Sequence, residues 1–544
     1  MHLLRCLLLL LLISFSSPAQ PLTDKQISKI DSLFFRYDKT SSPGCALGII
    51  RNGQMVFQRG YGMADLEWGQ AITPITVFDI GSTSKQFTAA CIILLQQQGK
   101  LSLDDDIRKY IPELPTYGKP ITLRHLLNHT SGIRDYAALL SLAGHQGEEV
   151  TSTQQALEII TKQKALNFTT GEKWDYSNSG FFLASVVIER VSGMSLKAFA
   201  REQIFGPLGM NNTFFLDNHK TIVPLRATGY AATGSGFEID MSNWEQVGDG
   251  AVQTSIQDLS RWDKNFYEPT VGGTDMIRQL TTTGALSNGI KLDYALGLFA
   301  TKYMDRTMIH HAGGWAGYRA EFVRLPDEKL SVICLSNLGS VNPTSLARAV
   351  VQICLNEKPK SGVPPPAPAS VNVDTSPYAS SYRSETNDAV RKLVAEGGKL
   401  FLLRGAGKIE LSYVSENTFV VPGAATFRFT RSGDKVATMD IIQDGFPDQH
   451  FLRFDPVSVT ENTLKTYVGN YPSEELGTTA SITLTEGKLK LTMGSEVHPL
   501  ESIMPDIFYS SQGISIELAR DKNKKITGFY FSAARTRKIY FSKS

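Results

Sequence analysis

The sequence predicts an α+β amino-terminal part followed by two repeated small antiparallel β-barrel-like units. Strand-like and helix-like segments are mixed up to about residue 356, where the proline-rich residues 357–374 interrupt the pattern. Beyond that stretch, short alternating runs such as SITLTEGKLKLTMG are separated by turn signals, which is typical of antiparallel β structure. A chain of 544 residues is too long for one compact core, so we expect several domains.

The first residues, 1–19, have the pattern of a secretory signal peptide. Arg5 precedes an apolar run from Leu7 to Phe15, and the small residues Ser17 and Ala19 stand at the expected cleavage position. No later stretch reaches the roughly 18 continuous apolar residues that a membrane span requires. We therefore expect an exported protein, periplasmic or secreted, with no membrane span.

Composition and charge exclude several classes of partner. Hydrophobic residues make up 42% of the chain and charged residues 20%, which are the proportions of an ordinary globular protein. The net charge is +2 without a basic block, so neither nucleic acid nor an anionic membrane surface is expected as a partner. Cys45, Cys91, Cys334 and Cys354 lie among apolar neighbours, so we expect buried free thiols rather than disulfides or metal ligands.

The carboxy-terminal region repeats itself at a constant offset of 89 residues. The matching landmarks are Tyr378 and Tyr467, Tyr382 and Tyr471, Leu400 and Leu489, Phe419 and Phe508, Arg431 and Arg520, and Lys435 and Lys524. We expect two copies of one unit, at 375–457 and 460–544, forming lipocalin-like barrels or half-barrels that close their sheet edges. The linker at 357–374 should be stiff and extended, with few contacts across it, so that the domain at 20–356 would be separable as residues 22–357.

The first of three chemically suggestive elements contains Ser82 and Lys85. In VFDIGSTSKQFTAACIILL, a strand-like run ends in a turn and apolar residues at helical spacing follow. Ser82 is therefore predicted at a helix N-terminus, where backbone N–H groups favour developing negative charge. A partly desolvated Lys85 one turn away could accept the serine proton. A capping serine with a solvated lysine is the alternative for an isolated S-x-x-K, a pattern that Ser432 and Lys435 also match.

The second element places Tyr176 and Asn178 ahead of an apolar helix in WDYSNSGFFLASVVIERVSG. A phenol beside a lysine can shuttle protons, and an amide can bind a substrate carbonyl or hold the lysine in place. The alternative is that Asn178 or its neighbour Ser177 only caps the helix.

The third element is MIHHAGGWAGYRAEFVRLPDEKLSVICLSN, which we interpret as a loop joining two strands. The glycines after His311, Gly313 and Gly314, would let the backbone approach a ligand, and the N–H of Gly314 could form an oxyanion hole with that of Ser82. A structural role is the alternative for His311. His125 and His129 have the spacing of a metal pair, but no third ligand is evident and no metal is expected.

Together the three elements resemble the family of class C serine β-lactamases, penicillin-binding D-alanyl-D-alanine peptidases, and the related esterases and D-aminopeptidases. Its S-x-x-K, Y-x-N and H-x-G motifs are matched by residues 82–85, 176–178 and 311–313, and the resemblance covers roughly residues 22–355. LRHLLNHTSGI, IFGPLGMNNTFF and GDGAVQTSIQDLSRW are further family-like stretches. The resemblance implies a β-lactamase-like serine hydrolase domain at 20–356, with an antiparallel sheet flanked by helices plus an all-helical part.

The resemblance also implies roles for individual residues. Ser82 would be the nucleophile, Lys85 its activator and Tyr176 the proton shuttle, while Asn178 would orient the acyl side chain. His311 would stand in place of the cationic lysine of true β-lactamases. Ala312 lacks the hydroxyl that K-T-G or H-T-G offers to a substrate carboxylate, which disfavours a β-lactamase.

These observations predict an exported serine hydrolase that works through an acyl-enzyme without metal or organic cofactor. D-aminopeptidases of the family resemble this chain in having two β units, and a loop from one unit would reach over the cleft. The expected partner is therefore a small-molecule or peptide substrate containing a D-amino acid, peptidoglycan fragments included. A general esterase, a β-lactamase, a non-catalytic penicillin-type binding protein and a glycan-attachment role of the repeats remain alternatives. The oligomeric state and the exact substrate are left open.

Overall fold

A computed structural model of the protein describes residues 21–145, 147–357, 373–384, 388–404, 407–422, 424–443, 448–455 and 457–544. The predicted signal peptide at 1–19 lies outside these residues, and so does the predicted linker at 357–374 apart from its ends. The described residues form a mixed part of helices and strands up to residue 357, followed by two β units.

The helices of the amino-terminal part begin and end at residues that the sequence marks well. Thr23, Thr122 and Ser152 each form a capping box at a helix start, and α6 ends at Gly193 in the left-handed conformation. The described helices are α1 (Asp24–Phe34), α2 (Lys85–Gln97), α3 (Leu123–Leu127), α4 (Tyr136–Leu142), α5 (Thr153–Thr161), α6 (Asn178–Ser192), α7 (Leu196–Ala200), α8 (Ile256–Asn265), α9 (Gly273–Thr281) and α10 (Pro343–Leu355).

Six of the thirteen described strands of this part form one antiparallel sheet in the order β10-β11-β12-β13-β1-β2. The strands are β1 (Cys45–Arg51), β2 (Gln54–Tyr61), β3 (Met63–Asp65), β4 (Gln70–Ala71), β5 (Phe78–Asp79), β6 (Phe214–Phe215), β7 (Tyr230–Ala232), β8 (Phe237–Ile239), β9 (Val252–Thr254), β10 (Phe299–Tyr303), β11 (Arg306–Trp315), β12 (Tyr318–Leu325) and β13 (Leu330–Ser336). Helices α1 and α10 cover one face of the sheet and α8 packs on the other, so its central strands are buried on both faces.

The all-helical region is built around α2 and α6, which pack against each other. Every residue of α2 from Lys85 to Leu95 is buried, as are most residues of α6. A helix that is apolar on all sides belongs in the interior of a protein. This burial places Lys85, at the first turn of α2, in a part of the molecule that solvent does not reach.

Two β units of eight described strands each follow. The first closes into a barrel of β14 (Ser381–Arg383), β15 (Val390–Glu396), β16 (Lys399–Arg404), β17 (Gly407–Ser415), β18 (Thr418–Val421), β19 (Ala425–Ser432), β20 (Lys435–Ile442) and β21 (Gln449–Phe454). The second follows helix α11 (Glu461–Lys465) and contains β22 (Gly469–Ser473), β23 (Thr478–Thr485), β24 (Lys488–Met493), β25 (Glu496–Met504), β26 (Ile507–Ser510), β27 (Ile514–Arg520), β28 (Ile526–Ala533) and β29 (Thr536–Ser542). Its first and last strands lie side by side, and the sheet nearly closes. The predicted fold class is confirmed.

The sequence repeat corresponds to a repeated set of contacts. The Tyr382 hydroxyl donates to the Tyr378 carbonyl at 2.9 Å, and the Tyr471 hydroxyl donates to the Tyr467 carbonyl at 2.6 Å. In each unit an arginine also stacks on the first tyrosine, with Arg431 over Tyr378 and Arg520 over Tyr467. The repeated tyrosines are therefore buried anchors that hold the start of each unit against its barrel.

The expectation that few contacts cross from the β units to the amino-terminal part is wrong for the second unit. Arg134, which is fully buried, pairs with Glu475 of the second unit at 2.5 Å and also donates to the carbonyls of Arg537 and Lys538. One continuous cluster of buried apolar side chains runs from the helical region into the second unit, whereas the first unit has a core of its own. The second unit is thus part of the same packed body as the helical region.

The four cysteines Cys45, Cys91, Cys334 and Cys354 are buried with free thiols, as the sequence predicts. Among the described residues, no single helix is long and apolar enough to cross a membrane. Helices 178–192 and 196–205 reach that length and apolarity together, but the chain bends by 78° between them.

Removing the Glu475 carboxylate should destabilise the whole protein. Glu475→Ala leaves the Arg134 guanidinium buried without its counter-charge, which typically costs about 3–5 kcal/mol in the free energy of unfolding. Chemical denaturation measures the loss. Glu474→Ala is the matched control, because Glu474 pairs with Lys164 on the exposed surface and its removal should leave the unfolding midpoint unchanged. Equal midpoints for both variants would contradict the importance of this contact.

Candidate active site

Ser82 lies on a tight turn between a strand and a helix. Strand β5 ends at Asp79, residues Gly81–Ser84 form a single turn of 3-10 helix, and α2 begins at Lys85. Gly81 has φ of 48°, and a Cβ at this position would come within 2.6 Å of the Gly314 backbone nitrogen. Glycine is therefore required here, and its small size lets strand β11 approach the turn that carries Ser82.

Lys85 is the residue at which the separate elements of the site meet. Its Nζ atom donates to Ser82 Oγ at 3.1 Å, to Asn178 Oδ1 at 3.0 Å and to the Asp249 carbonyl at 2.5 Å. An ammonium has three N–H donors, so each of them has an acceptor. These bonds orient the buried cation towards Ser82, as expected for an activator of a serine nucleophile.

Tyr176 and Asn178 flank the start of α6, and the structure brings both beside Lys85. Asn178 holds the lysine through its side-chain oxygen, and its backbone N–H donates to Asp135 Oδ2 at 2.8 Å. The centre of the Tyr176 ring lies 4.9 Å from Lys85 Nζ and 4.1 Å from the centre of the buried His129 ring, with 36° between the ring planes. The Tyr176 hydroxyl is buried and has no hydrogen-bond partner among the described residues. A buried, unpaired hydroxyl beside a cation is well placed to move protons.

His311, Gly313 and Gly314 lie within strand β11, so the interpretation of this stretch as a loop is wrong. Only Ala316 and Gly317 separate β11 from β12. The antiparallel pairing of His311 with Phe322 extends the strand, and tertiary pairing overrides the loop-like glycines. A Cβ on Gly313 would meet the Ile80 carbonyl at 1.9 Å, so glycine allows β11 to lie directly against the Ser82 turn.

The His311 side chain is neutral in this structure. Burial and the nearby Lys85 cation lower the pKa of His311 to about 3. Its Nδ1 lies 2.6 Å from the Ala312 carbonyl, and its Nε2 lies 3.0 Å from the Tyr294 hydroxyl. These contacts fit a tautomer in which Nδ1–H donates and Nε2 accepts from Tyr294. His311 therefore does not supply the positive charge that the resemblance assigns to the lysine at this position.

Asp249 and Tyr136 are site residues that the sequence reasoning did not single out. The Tyr136 hydroxyl donates to both oxygens of the Asp249 carboxylate at 3.1 and 3.2 Å. Burial raises the pKa of Asp249 to about 6, although Lys85 counteracts the increase. Asp249 belongs to the family-like stretch GDGAVQTSIQDLSRW, so the sequence carries a signal here, but nothing in that stretch distinguishes this carboxylate from its neighbours.

These groups surround a cleft of about 610 Å³. The cleft lies between the Ser82 turn, the start of α4 and the end of β11, and the second β unit contributes to its rim. Lining residues include Ser82, Tyr136, Asn178, Trp244, Asp249, Gly314, Trp315 and Arg535. Arg535 belongs to the hairpin between β28 and β29, so a loop of a β unit does reach the cleft.

The competing candidates lie elsewhere. Ser432 and Lys435 face each other across an exposed hairpin of the first barrel, whereas the Y-x-N and H-x-G elements belong to the amino-terminal part. His125 Nδ1 lies 3.1 Å from the Thr122 backbone nitrogen in a helix cap, while His129 is buried among aromatic rings. Within the described part of the chain, no group of three or more histidine, cysteine, aspartate or glutamate residues could hold a metal ion.

The family of the chain follows from comparison with known proteins. The model of the Beta-lactamase family matches residues 30–355, which is more than half of the chain. The chain therefore belongs to the beta-lactamase family, and it is a serine hydrolase of that family. This assignment agrees with the motifs at Ser82, Tyr176 and His311, which the fold brings to one cleft.

Individual relatives extend the similarity beyond the matched domain. The chain is 28% identical over 433 residues to penicillin-binding protein 4* of Bacillus subtilis, covering 73% of this chain and 92% of the relative. It is 28% identical over 377 residues to a D-aminopeptidase of Brucella melitensis, covering 69% and 70% of the two chains.

Solved structures share the fold. The octameric penicillin-binding protein homologue from Pyrococcus abyssi matches with a TM-score of 0.58 at 23% identity, covering 78% of this chain and 99% of that one. The D-amino acid amidase from Ochrobactrum anthropi matches with a TM-score of 0.52 at 21% identity, covering 61% and 99%.

Lys85→Ala and Tyr176→Phe should each lower turnover by about 10²–10⁴-fold, the usual contribution of a general acid or base, without unfolding the protein. Steady-state kinetics on a short ester measures the loss, and circular dichroism checks the fold. Lys435→Ala is the matched control, since it removes the lysine of the other S-x-x-K match. Near-normal rates in folded Lys85→Ala or Tyr176→Phe would remove that residue from the reaction.

Asp249→Asn should change how stability depends on pH. The pKa of Asp249 is higher in the folded protein than in the unfolded chain, so the folded state binds the proton more tightly. The stability of the wild type therefore falls as pH rises from about 4 to about 6 and this proton is lost. The variant lacks this loss and should gain about 1–3 kcal/mol over wild type above pH 6, with little difference at pH 4. Denaturation at several pH values measures it, with exposed Asp434→Asn as control. A pH-independent difference would contradict the assignment.

Proposed function

We propose that the protein hydrolyses amide bonds of D-amino-acid-containing peptides or amides through an acyl-enzyme on Ser82. The observation that carries this proposal is the hydrogen-bonded set of Ser82, Lys85 and Asn178 on the cleft floor, with the unpaired Tyr176 hydroxyl beside it. The names of the D-aminopeptidase and D-amino acid amidase relatives support the choice of substrate class.

The geometry supports a two-step reaction. For the reaction, the Lys85 and Tyr176 pair must hold one proton fewer than an ammonium with a phenol, so that it accepts the Ser82 proton as Ser82 Oγ attacks the carbonyl carbon. The oxyanion is stabilised by the N–H groups of Ser82 and Gly314. Tyr176 then delivers a proton to the leaving nitrogen as the bond breaks. In the second step, water attacks the acyl-Ser82 ester, the proton returns by the same route and the acid product leaves.

The acidic side of the cleft favours a substrate with a free amino group. Asp249 has a pKa of about 6 and is ionised at neutral pH, where it faces the cleft beside Lys85. A substrate ammonium close to this carboxylate would offset the cost of holding it ionised in a partly buried place. This favours an aminopeptidase or amino-acid amidase over a general esterase.

Other functions are less well supported. Neutral His311 and the methyl side chain of Ala312 provide neither the cation nor the hydroxyl that a β-lactamase would use to hold a substrate carboxylate at β11. A non-catalytic binding protein would be acylated once and would show no turnover, which distinguishes it from the proposed hydrolase. If the β units alone served to bind glycan, that binding would be unchanged in a variant whose Ser82 is replaced.

We propose in addition that the protein is exported. The pattern of residues 1–19, with Arg5, an apolar run and small residues near Ala19, supports this placement. Amino-terminal sequencing of the protein from the exported fraction should find a start just after the leader, and a full-length chain confined to the cytoplasm would contradict export.

A substrate panel tests the proposed function. Purified protein should hydrolyse D-amino acid amides faster than their L-counterparts, hydrolyse short esters, and turn over a cephalosporin poorly. Ser82→Ala should abolish all turnover and all labelling by a fluorophosphonate, while Ser432→Ala should behave as wild type. Faster hydrolysis of L-amides, or turnover that survives Ser82→Ala, would overturn the proposal.

A further inference from the structure

The hairpin tip of the second β unit at the cleft is a rigid part of the site. Ala534 and Arg535 form the turn between β28 and β29, and Ala534 has φ of 48°. The Arg535 carbonyl accepts from the Asp135 backbone N–H at 3.3 Å and from Asn167 Nδ2 at 2.9 Å. The Arg537 backbone N–H donates back to Asn167 Oδ1 at 2.7 Å. The backbone of the tip is therefore held in place by the amino-terminal part.

The Arg535 side chain extends from this fixed tip over the catalytic tyrosine. Its guanidinium carbon lies 4.6 Å from the centre of the Tyr176 ring, and its side chain is 46% exposed at the cleft. The facing acid is Asp135, whose Oδ2 lies 3.6 Å from the Arg535 guanidinium. Among the described residues, the guanidinium makes no closer polar contact.

Asp135 only partly offsets the positive charge of Arg535. The Asp135 carboxylate is 2% exposed and already accepts from the backbone N–H groups of Ala137, Ala138 and Asn178. Its ion pair with Arg535 is longer than the 2.7–2.9 Å typical of a charge-assisted hydrogen bond. Donors of the guanidinium fork thus remain directed at the cleft, where a carboxylate could bind in a bidentate manner.

The other basic groups at the cleft are engaged differently. Lys85 gives its three donors to Ser82, Asn178 and the Asp249 carbonyl, and His311 is neutral. The positive charge of Arg226 interacts with the nearby Asp79 carboxylate. Arg535 is consequently the cation best placed to meet an anion next to Tyr176.

We propose that Arg535 binds the carboxylate of the leaving group, so that the second β unit selects substrates whose released portion is a free amino acid. The proposal rests on the proposed function, in which Tyr176 protonates the leaving nitrogen. A leaving amino acid has its carboxylate one carbon from that nitrogen, and a cation over the Tyr176 ring lies within reach of it. The recognised class is therefore a short peptide with a free carboxyl terminus directly after the scissile bond.

The test compares D-alanyl-D-alanine with its carboxy-terminal amide, a pair that differs only in the charge that Arg535 would bind. Protection of Ser82 from fluorophosphonate labelling measures the affinity of each without requiring turnover, and kcat/KM is measured where turnover occurs. Wild type should favour the acid, and Arg535→Gln should weaken acid binding by roughly 10- to 100-fold while the amide changes little. Arg535→Lys should retain part of the preference.

Lys522→Gln is the matched control, since it removes one exposed positive charge at the opposite end of β28. An equal loss for acid and amide in Arg535→Gln would mean that the residue only supports the fold of the cleft and would overturn the proposal. No preference for the acid in wild type would also overturn it. Failure of the proposed function looks different: neither peptide is hydrolysed, yet the protection assay still reports whether Arg535 distinguishes acid from amide.

Discussion

The burial of one ammonium group is the constraint on which the catalytic site depends. Lys85 lies in the first turn of α2, within a stretch of this helix that is buried up to Leu95, and a buried charge is costly unless every donor is satisfied. Three acceptors meet this requirement: Ser82 Oγ in the preceding turn, Asn178 Oδ1 at the start of α6, and the Asp249 carbonyl. Because these acceptors belong to separate segments, satisfying the cation also fixes where Ser82, Tyr176 and the acidic side of the cleft lie.

A second buried ion pair extends this arrangement to the carboxy-terminal region. Arg134 adjoins Asp135, whose carboxylate caps α4 and accepts from the Asn178 N–H. The same Arg134 pairs with Glu475 and holds the backbone at Arg537, which positions the Arg535 hairpin. Asn178 therefore depends on Asp135, and the Arg535 hairpin depends on the adjacent Arg134. One short segment of the chain thus fixes both the residue that holds Lys85 and the residue that lies over Tyr176. The second β unit is coupled to the catalytic groups through packing, despite the linker that separates it in sequence.

The electrostatics of the cleft differ from those implied by the motif alone. A histidine at the H-x-G position is neutral here because it is buried near a cation and bonded to Tyr294. The positive charge over the Tyr176 ring belongs instead to Arg535, and the Asp249 carboxylate lines the same cleft. Charges of both signs at the cleft support the proposed substrate class, short peptides that are charged at both ends.

The sequence alone determined the features that depend on local spacing. Ser82 and Lys85 are one turn apart, Tyr176 and Asn178 flank a helix start, and the 89-residue repeat follows from one unit occurring twice. The tertiary structure alone decided the rest. The strand conformation at His311 required pairing with β12, and the neutrality of His311 required burial. The positions of Asp249 and Arg535 at the cleft required contacts with segments distant in the chain. Such properties arise from long-range packing and the loss of solvent, and no local pattern encodes either.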